Sequence, residues 1–213
     1  MKINRRDFLK YGAIGIAGAT THTLTNAVQG YDRLFDIVAN SDLEYKIQNK
    51  YGVNMIGRVT PDNLKQLERA LNEAESNWDM FYEQMKKVKS VSLYPIDPCH
   101  PKAYSRLLGY ANQYTDTIGM NDINSEVLVH ELCHIWHDNH PQGGEFERKW
   151  RATYNGMDVP HRTKDTPNDV AHTVVDIYHS KLNNRQFPIS FDERQIRLLA
   201  DYGFISQREY DFY

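Results

Sequence analysis

Residues 127–136 read Val-Leu-Val-His-Glu-Leu-Cys-His-Ile-Trp, and both the fold and the chemistry follow from how this stretch is read. Three apolar residues lead in, His130, Glu131 and His134 interrupt them, and Leu132, Ile135 and Trp136 resume the apolar character of a buried helix. Side chains four apart share a helical face with Cβ atoms about 6 Å apart, so the two imidazoles can close on one metal ion. Glu131 sits beside the first of them and can reach a water on that ion. Zn2+ suits two neutral imidazole nitrogens and lowers the pKa of its water to about 7, after which a carboxylate can act as general base. The spacing therefore predicts a zinc helix with His130 and His134 as ligands and Glu131 as the catalytic base.

The rest of the histidine is concentrated nearby. Seven of the nine histidines fall between 130 and 179, and four of those fall within residues 130–140. His137 shares the face of His130 but lies one turn beyond His134. His140 would stand about 240° around from His134 if the helix continued. Pro141 disfavours helical geometry at His140 and Asn139 tolerates a left-handed turn, so a chain reversal there would return His140 to the ion as third ligand. Asp169 is the alternative, and Glu145, Glu147, His172 and Asp176 also stay open. Asp169, His172, Asp176 and His179 make an Asp-His stripe along a later helix that can supply a ligand or support the metal histidines.

Outward from this centre the chain reads as an α+β domain, mostly helical, with a small antiparallel or mixed sheet. Gly30 to Val59 reads as one or two short helices in a loop-rich lead-in. Thr60-Pro61-Asp62 supplies an N-cap, a proline at the first helical position and an acid in the first turn. Leu64, Leu67, Leu71, Ala74, Trp78, Phe81 and Met85 then form one apolar stripe, which predicts a single helix of about 24 residues. Period-two alternation follows at Val91, Leu93 and Ile96, and segments 107–111 and 115–120 flank Asn112-Gln113-Tyr114 as a hairpin. Pro95 and Pro98 mark a sheet edge or exit. Helices are expected over about 124–138, 143–154, 167–183 and 191–202, with a capping box at Ser190–Glu193 and a stop at Gly203. Tyr154, His161 and Tyr178 are possible oxyanion donors.

Twenty-five Lys plus Arg against 28 Asp plus Glu give a net charge of −3 over 213 residues, which argues against a nucleic-acid binder. Two cysteines exclude a disulfide scaffold and a multi-cysteine finger, and leave a Cys99–Cys133 pair open. Met1–Ala27 joins paired Arg5 and Arg6 and Phe8-Leu9-Lys10 to about ten weakly apolar residues, short of the ~20 a spanning helix needs. The segment resembles a twin-arginine export signal. That resemblance implies cleavage after Ala27, the twin-arginine export machinery as a partner and a periplasmic or extracellular destination with no stable membrane insertion. Setting aside Lys2, Arg5, Arg6, Lys10 and Asp7 leaves 21 basic and 27 acidic residues, a balance of −6 for a domain over 28–213.

Val129 to His140 as a whole resembles the zincin metallopeptidases, most closely the SprT, YgjP and WLM group. Gly144-Glu145-Phe146 and Trp150 resemble the segment that follows in that group. Thr166–His172 is also similar to a helix of lethal-factor-like gluzincins, with Asn168 at the ligand position and His172 at that of a supporting glutamate. The resemblance implies a zincin-like fold with an edge strand that can hold an extended peptide. It further implies zinc-dependent hydrolysis of peptide bonds, with Glu131 as base and then proton donor. Action on DNA-bound proteins, which the SprT likeness also suggests, is opposed by the acidic balance and the leader. The competing expectation is a non-catalytic exported zinc-binding or interaction protein that keeps the helix for structure.

Overall fold

The computed structural model describes residues 42–56, 59–93, 108–154, 166–183 and 192–211. The chain divides into two units, Met1–Leu43 and Glu44–Tyr213. The elements below belong to the second, with α1 (42–51) beginning two residues before it. The leader and its cleavage point, Ile96, Pro95, Pro98, Cys99, His161 and Ser190 lie outside the described residues. Among the described residues no helix is long and apolar enough to cross a membrane.

α2 (Pro61–Asn77) starts where the cap signal puts it, with Thr60 Oγ1 accepting from the Asn63 backbone N–H at 3.2 Å. The apolar stripe is buried along its full length, from Leu64 to Met85. It does not lie on one helix, however. Trp78 leaves helical geometry (φ −129°, ψ 110°), and α3 (Phe81–Met85) begins after a turn. The break serves the chain's other end: Trp78 Nε1 donates to the Phe204 carbonyl at 3.2 Å and the Asp79 backbone N–H donates to Glu209 Oε1 at 3.1 Å. An uninterrupted helix would have kept the Asp79 N–H in its own ladder. Side-chain periodicity survives such a turn, so the stripe could not reveal it.

Four short strands form one sheet, β1 (Asn54–Ile56), β2 (Ser90–Ser92), β3 (Gly109–Asn112) and β4 (Thr117–Met120), in the order β1-β2-β4-β3. The β3–β4 hairpin is antiparallel as expected, but β1–β2 and β2–β4 are parallel, so the sheet is mixed. β1 falls in the lead-in read as helical, and three residues are too few to show a period. Thr115 and Asp116 belong to the hairpin turn, where Asp116 takes a φ of 50°. Val91 stands beside Ile118 in register, both buried, while on the opposite face Ser90 Oγ and Thr117 Oγ1 lie 3.1 Å apart.

α4 (Ser125–Asn139) is the hub, packing against α2, α3, the β3–β4 hairpin, α5 (Gly143–Ala152) and α6 (Thr166–Leu182). Asn124 caps it by accepting from the Val127 N–H at 2.9 Å. α7 (Glu193–Asp201) is capped by Asp192. Gly203 ends that helical stretch at a φ of +71°, and the chain continues into α8 (Gln207–Asp211). Phe204 and Ile205 are buried just after that stop, with Phe204 and Tyr202 both within 5.0 Å of the Phe146 ring centroid. The fold is thus α+β, mostly helical, with a small mixed sheet.

Candidate metal centre

α4 holds His130 and His134 half-buried on one face, their Nε2 atoms 3.1 Å apart. Two nitrogens bound to one tetrahedral zinc at about 2.0–2.1 Å each would lie about 3.3 Å apart, so this pair fits such an ion with little adjustment. Burial, together with the neighbouring His134 and His172, lowers the His130 pKa to about 4, against a hydrogen bond that the ring donates to Asn168 and that favours its charged form. The ring is therefore neutral at physiological pH and keeps the lone pair a metal requires.

Glu131 follows His130 and is 5% exposed. Burial alone raises its pKa to about 8. Above it runs β3, the sheet's edge strand. A Cβ on Gly109 would come within 2.7 Å of Glu131 Oε1 and of Val127 Cγ1, so only glycine lets the strand cross the carboxylate this closely. Gly119 plays a matching part in β4. It is the register partner of Tyr110, whose ring fills the space a side chain there would need. A glycine inside a period-two segment signals such an approach, and Gly109 was legible on that basis.

α6 closes the other side. Asn168 hydrogen-bonds the His130 ring, and the exposed His172 has its ring centroid 4.8 Å from that of His130. Toward the start of α4 the same seam continues with His179 Nδ1 2.5 Å from Glu126 Oε1. Asp169 turns away from the pair. Its Oδ2 accepts from Trp150 Nε1 at 2.9 Å and from the Tyr154 hydroxyl. Of the Asp-His stripe, His172 reaches His130, His179 reaches Glu126, Asp176 is exposed and Asp169 is committed to α5.

The structure does not bring His140 to the pair. The chain does reverse after Asn139, but the ring turns toward Trp136 and Tyr202, with centroids 5.6 Å away in each case, and its Nδ1 accepts from the Gln142 N–H. Aromatic packing on that side of α4 outweighs the pull of the turn. His137 is buried against Phe146 and Phe204, Glu145 pairs with Lys149, and Glu147 lies near His137 and Arg151. The Tyr154 hydroxyl donates to Asp169, and Tyr178 is buried with its hydroxyl unpartnered among the described residues, in the core rather than presented to the histidine pair. Cys133 is a buried free thiol. Among the described residues no group of three or more His, Cys, Asp or Glu converges on one point. In comparisons with known proteins, no family model, no curated protein and no solved structure matches the chain.

Proposed function

We propose that the chain is a zinc-dependent metallopeptidase. The observation that carries this reading is the His130–His134 nitrogen pair, 3.1 Å apart and beside a buried Glu131 carboxylate under an edge strand. His130 and His134 would hold the ion, and His172 is the proposed third ligand because its exposed ring already abuts that of His130. Zinc, when bound, supplies Lewis acidity that lowers the pKa of water and polarises a carbonyl. Glu131, whose ionised form a dication at the histidine pair would favour over the protonated one that burial favours, would take a proton from the attacking water and return it to the leaving amine. Burial under β3 limits the carboxylate's contact with bulk water, and Asn168 orients the His130 ring. Among the described residues β3 is an outer strand of the sheet, the kind of edge to which an extended peptide can add. The leader resemblance and the −6 balance support an exported protein working on peptides rather than nucleic acid.

Purified protein prepared without chelator is expected to carry close to one equivalent of zinc. Glu131→Gln should keep that metal while peptide hydrolysis falls by about 10²–10⁴-fold. Wild-type protein free of metal would end this reading. The same Glu131→Gln variant separates this reading from a second, a non-catalytic zinc-binding protein that keeps the helix for structure. On that reading a chelator unfolds the protein and Glu131→Gln changes no function.

A further inference from the structure

We propose that Asp169 is a positioning residue, which fixes the rotation of α6 through Trp150 and Tyr154 and thereby holds Asn168 and His172 against His130. The inference rests on the zinc reading above. Asp169 carries a carboxylate on a residue 9% exposed, and both of its donors come from the neighbourhood of α5. Trp150 is itself buried, so its indole N–H is a fixed point rather than a mobile partner. One turn earlier, Thr166 Oγ1 accepts from Arg151 Nε at 2.9 Å. Three side-chain bonds therefore tie the first turn of α6 to α5 and its C-terminal end. Hydrogen bonds to an ionised acceptor are the stronger kind, and a buried carboxylate left without them is costly, so this tie resists rotation.

The geometry links the tie to the metal pair. At about 100° per residue Asn168 and His172 stand about 40° apart on α6, and Asp169 stands about 60° beyond His172. One face of the helix is thus anchored while the adjoining face addresses His130. With side-chain atoms about 6 Å from the axis, a rotation of about 20° would move the His172 ring by about 2 Å. Metal–ligand distances tolerate about 0.2 Å. A carboxylate that touches no metal can therefore decide whether the third ligand is in reach.

The test uses the full chain, with zinc affinity measured by competition and cobalt substitution reporting ligand geometry. Asp169→Asn and Trp150→Phe are expected to weaken zinc binding by about tenfold or more and to shift the cobalt absorption bands. Lys181→Met removes a bridge to Asp79 and Glu209 away from the site; it controls for general loss of stability and should leave zinc affinity unchanged. In metal-free protein, Asp169→Asn should also abolish the nuclear Overhauser contact between the His130 and His172 rings. Wild-type affinity and a retained ring contact in Asp169→Asn overturn the proposal, as does an equal loss of affinity in Lys181→Met. If wild-type protein takes up no zinc, the zinc reading fails, and the ring contact alone decides whether Asp169 positions α6.

Discussion

In the first half of α4, His130 and His134 are half-buried with their nitrogens turned toward each other, and α6 meets His130 through Asn168 and His172. In the second half, His137 shares the helical face of His130 but lies about 10 Å farther along the axis. There the neighbours have changed to Phe146 and Phe204, and His140 beyond it packs on Trp136 and Tyr202. Four histidines within residues 130–140 thus divide into a pair whose nitrogens face each other and a pair set in aromatic packing. Periodicity gives a side chain its direction, while position along the axis decides what it meets.

The sharpest break of this contrast is a comparison of two alanine substitutions. A four-ligand structural zinc site binds with about 10–16 kcal/mol, so losing one ligand costs roughly a quarter of that, or about 10²–10³-fold in affinity. His130→Ala is expected to lose zinc by about that factor. His140→Ala should bind within about threefold of wild type in the same competition assay. An equal loss in both would return His140 to the ion and erase the division between the halves.

Glu131 gives the next largest effect, and here the burial of the first half has a cost. In protein stripped of metal the folded carboxyl holds its proton up to about pH 8, whereas the unfolded chain releases it near the ordinary 4.5. Between those values the unfolded state binds fewer protons, so stability falls as pH rises from about 4.5 to about 8 and is level above. At pH 7 the cost is about 3 kcal/mol. Glu131→Gln in chelator-treated protein should therefore be more stable than wild type at pH 7, with the gap closing toward pH 4.5. Urea unfolding at the two pH values measures it, and a gap independent of pH would show that the carboxyl is not held protonated.

How much of this was legible depends on the range of the interaction. The four helices expected from Asn124 to 202 follow from local signals, apolar periodicity with caps and a glycine stop, and their ends agree to within about two residues, whereas the short α8 (Gln207–Asp211) was not expected. The 3.1 Å pair follows from four-residue spacing alone. The break at Trp78 does not, because its cause is a carbonyl at Phe204 and a carboxylate at Glu209, more than a hundred residues away. The parallel pairing of β1 was hidden for the same reason, its partner β2 lying beyond α2 and α3. His140 shows a subtler limit: the turn at Pro141 was readable, but the aromatic residues that capture the ring come from Tyr202 as well as from α4 itself. Asp169 was readable as an acid in a first turn, yet its donors on and after α5 were not.

The smallest expected effect tests the second half directly. His137 is 6% exposed; its Nδ1 lies 3.4 Å from Asp138 Oδ1, while its Nε2 makes no hydrogen bond among the described residues and lies 3.5 Å from Glu147 Oε1, an ion-pair distance. A buried polar atom left unpaired costs about 1–3 kcal/mol, and replacing such a group with an apolar one of similar size can be neutral or stabilising. Leucine is slightly different in shape, which takes back part of that gain. His137→Leu is accordingly expected to shift the unfolding free energy by less than about 1 kcal/mol, in the stabilising direction, with zinc affinity unchanged. A loss of more than about 2 kcal/mol would mean that Glu147 and Asp138 hold a charged imidazole there. The second half would then be an ionic site within the aromatic cluster, and its difference from the His130–His134 pair would be one of partner rather than of kind.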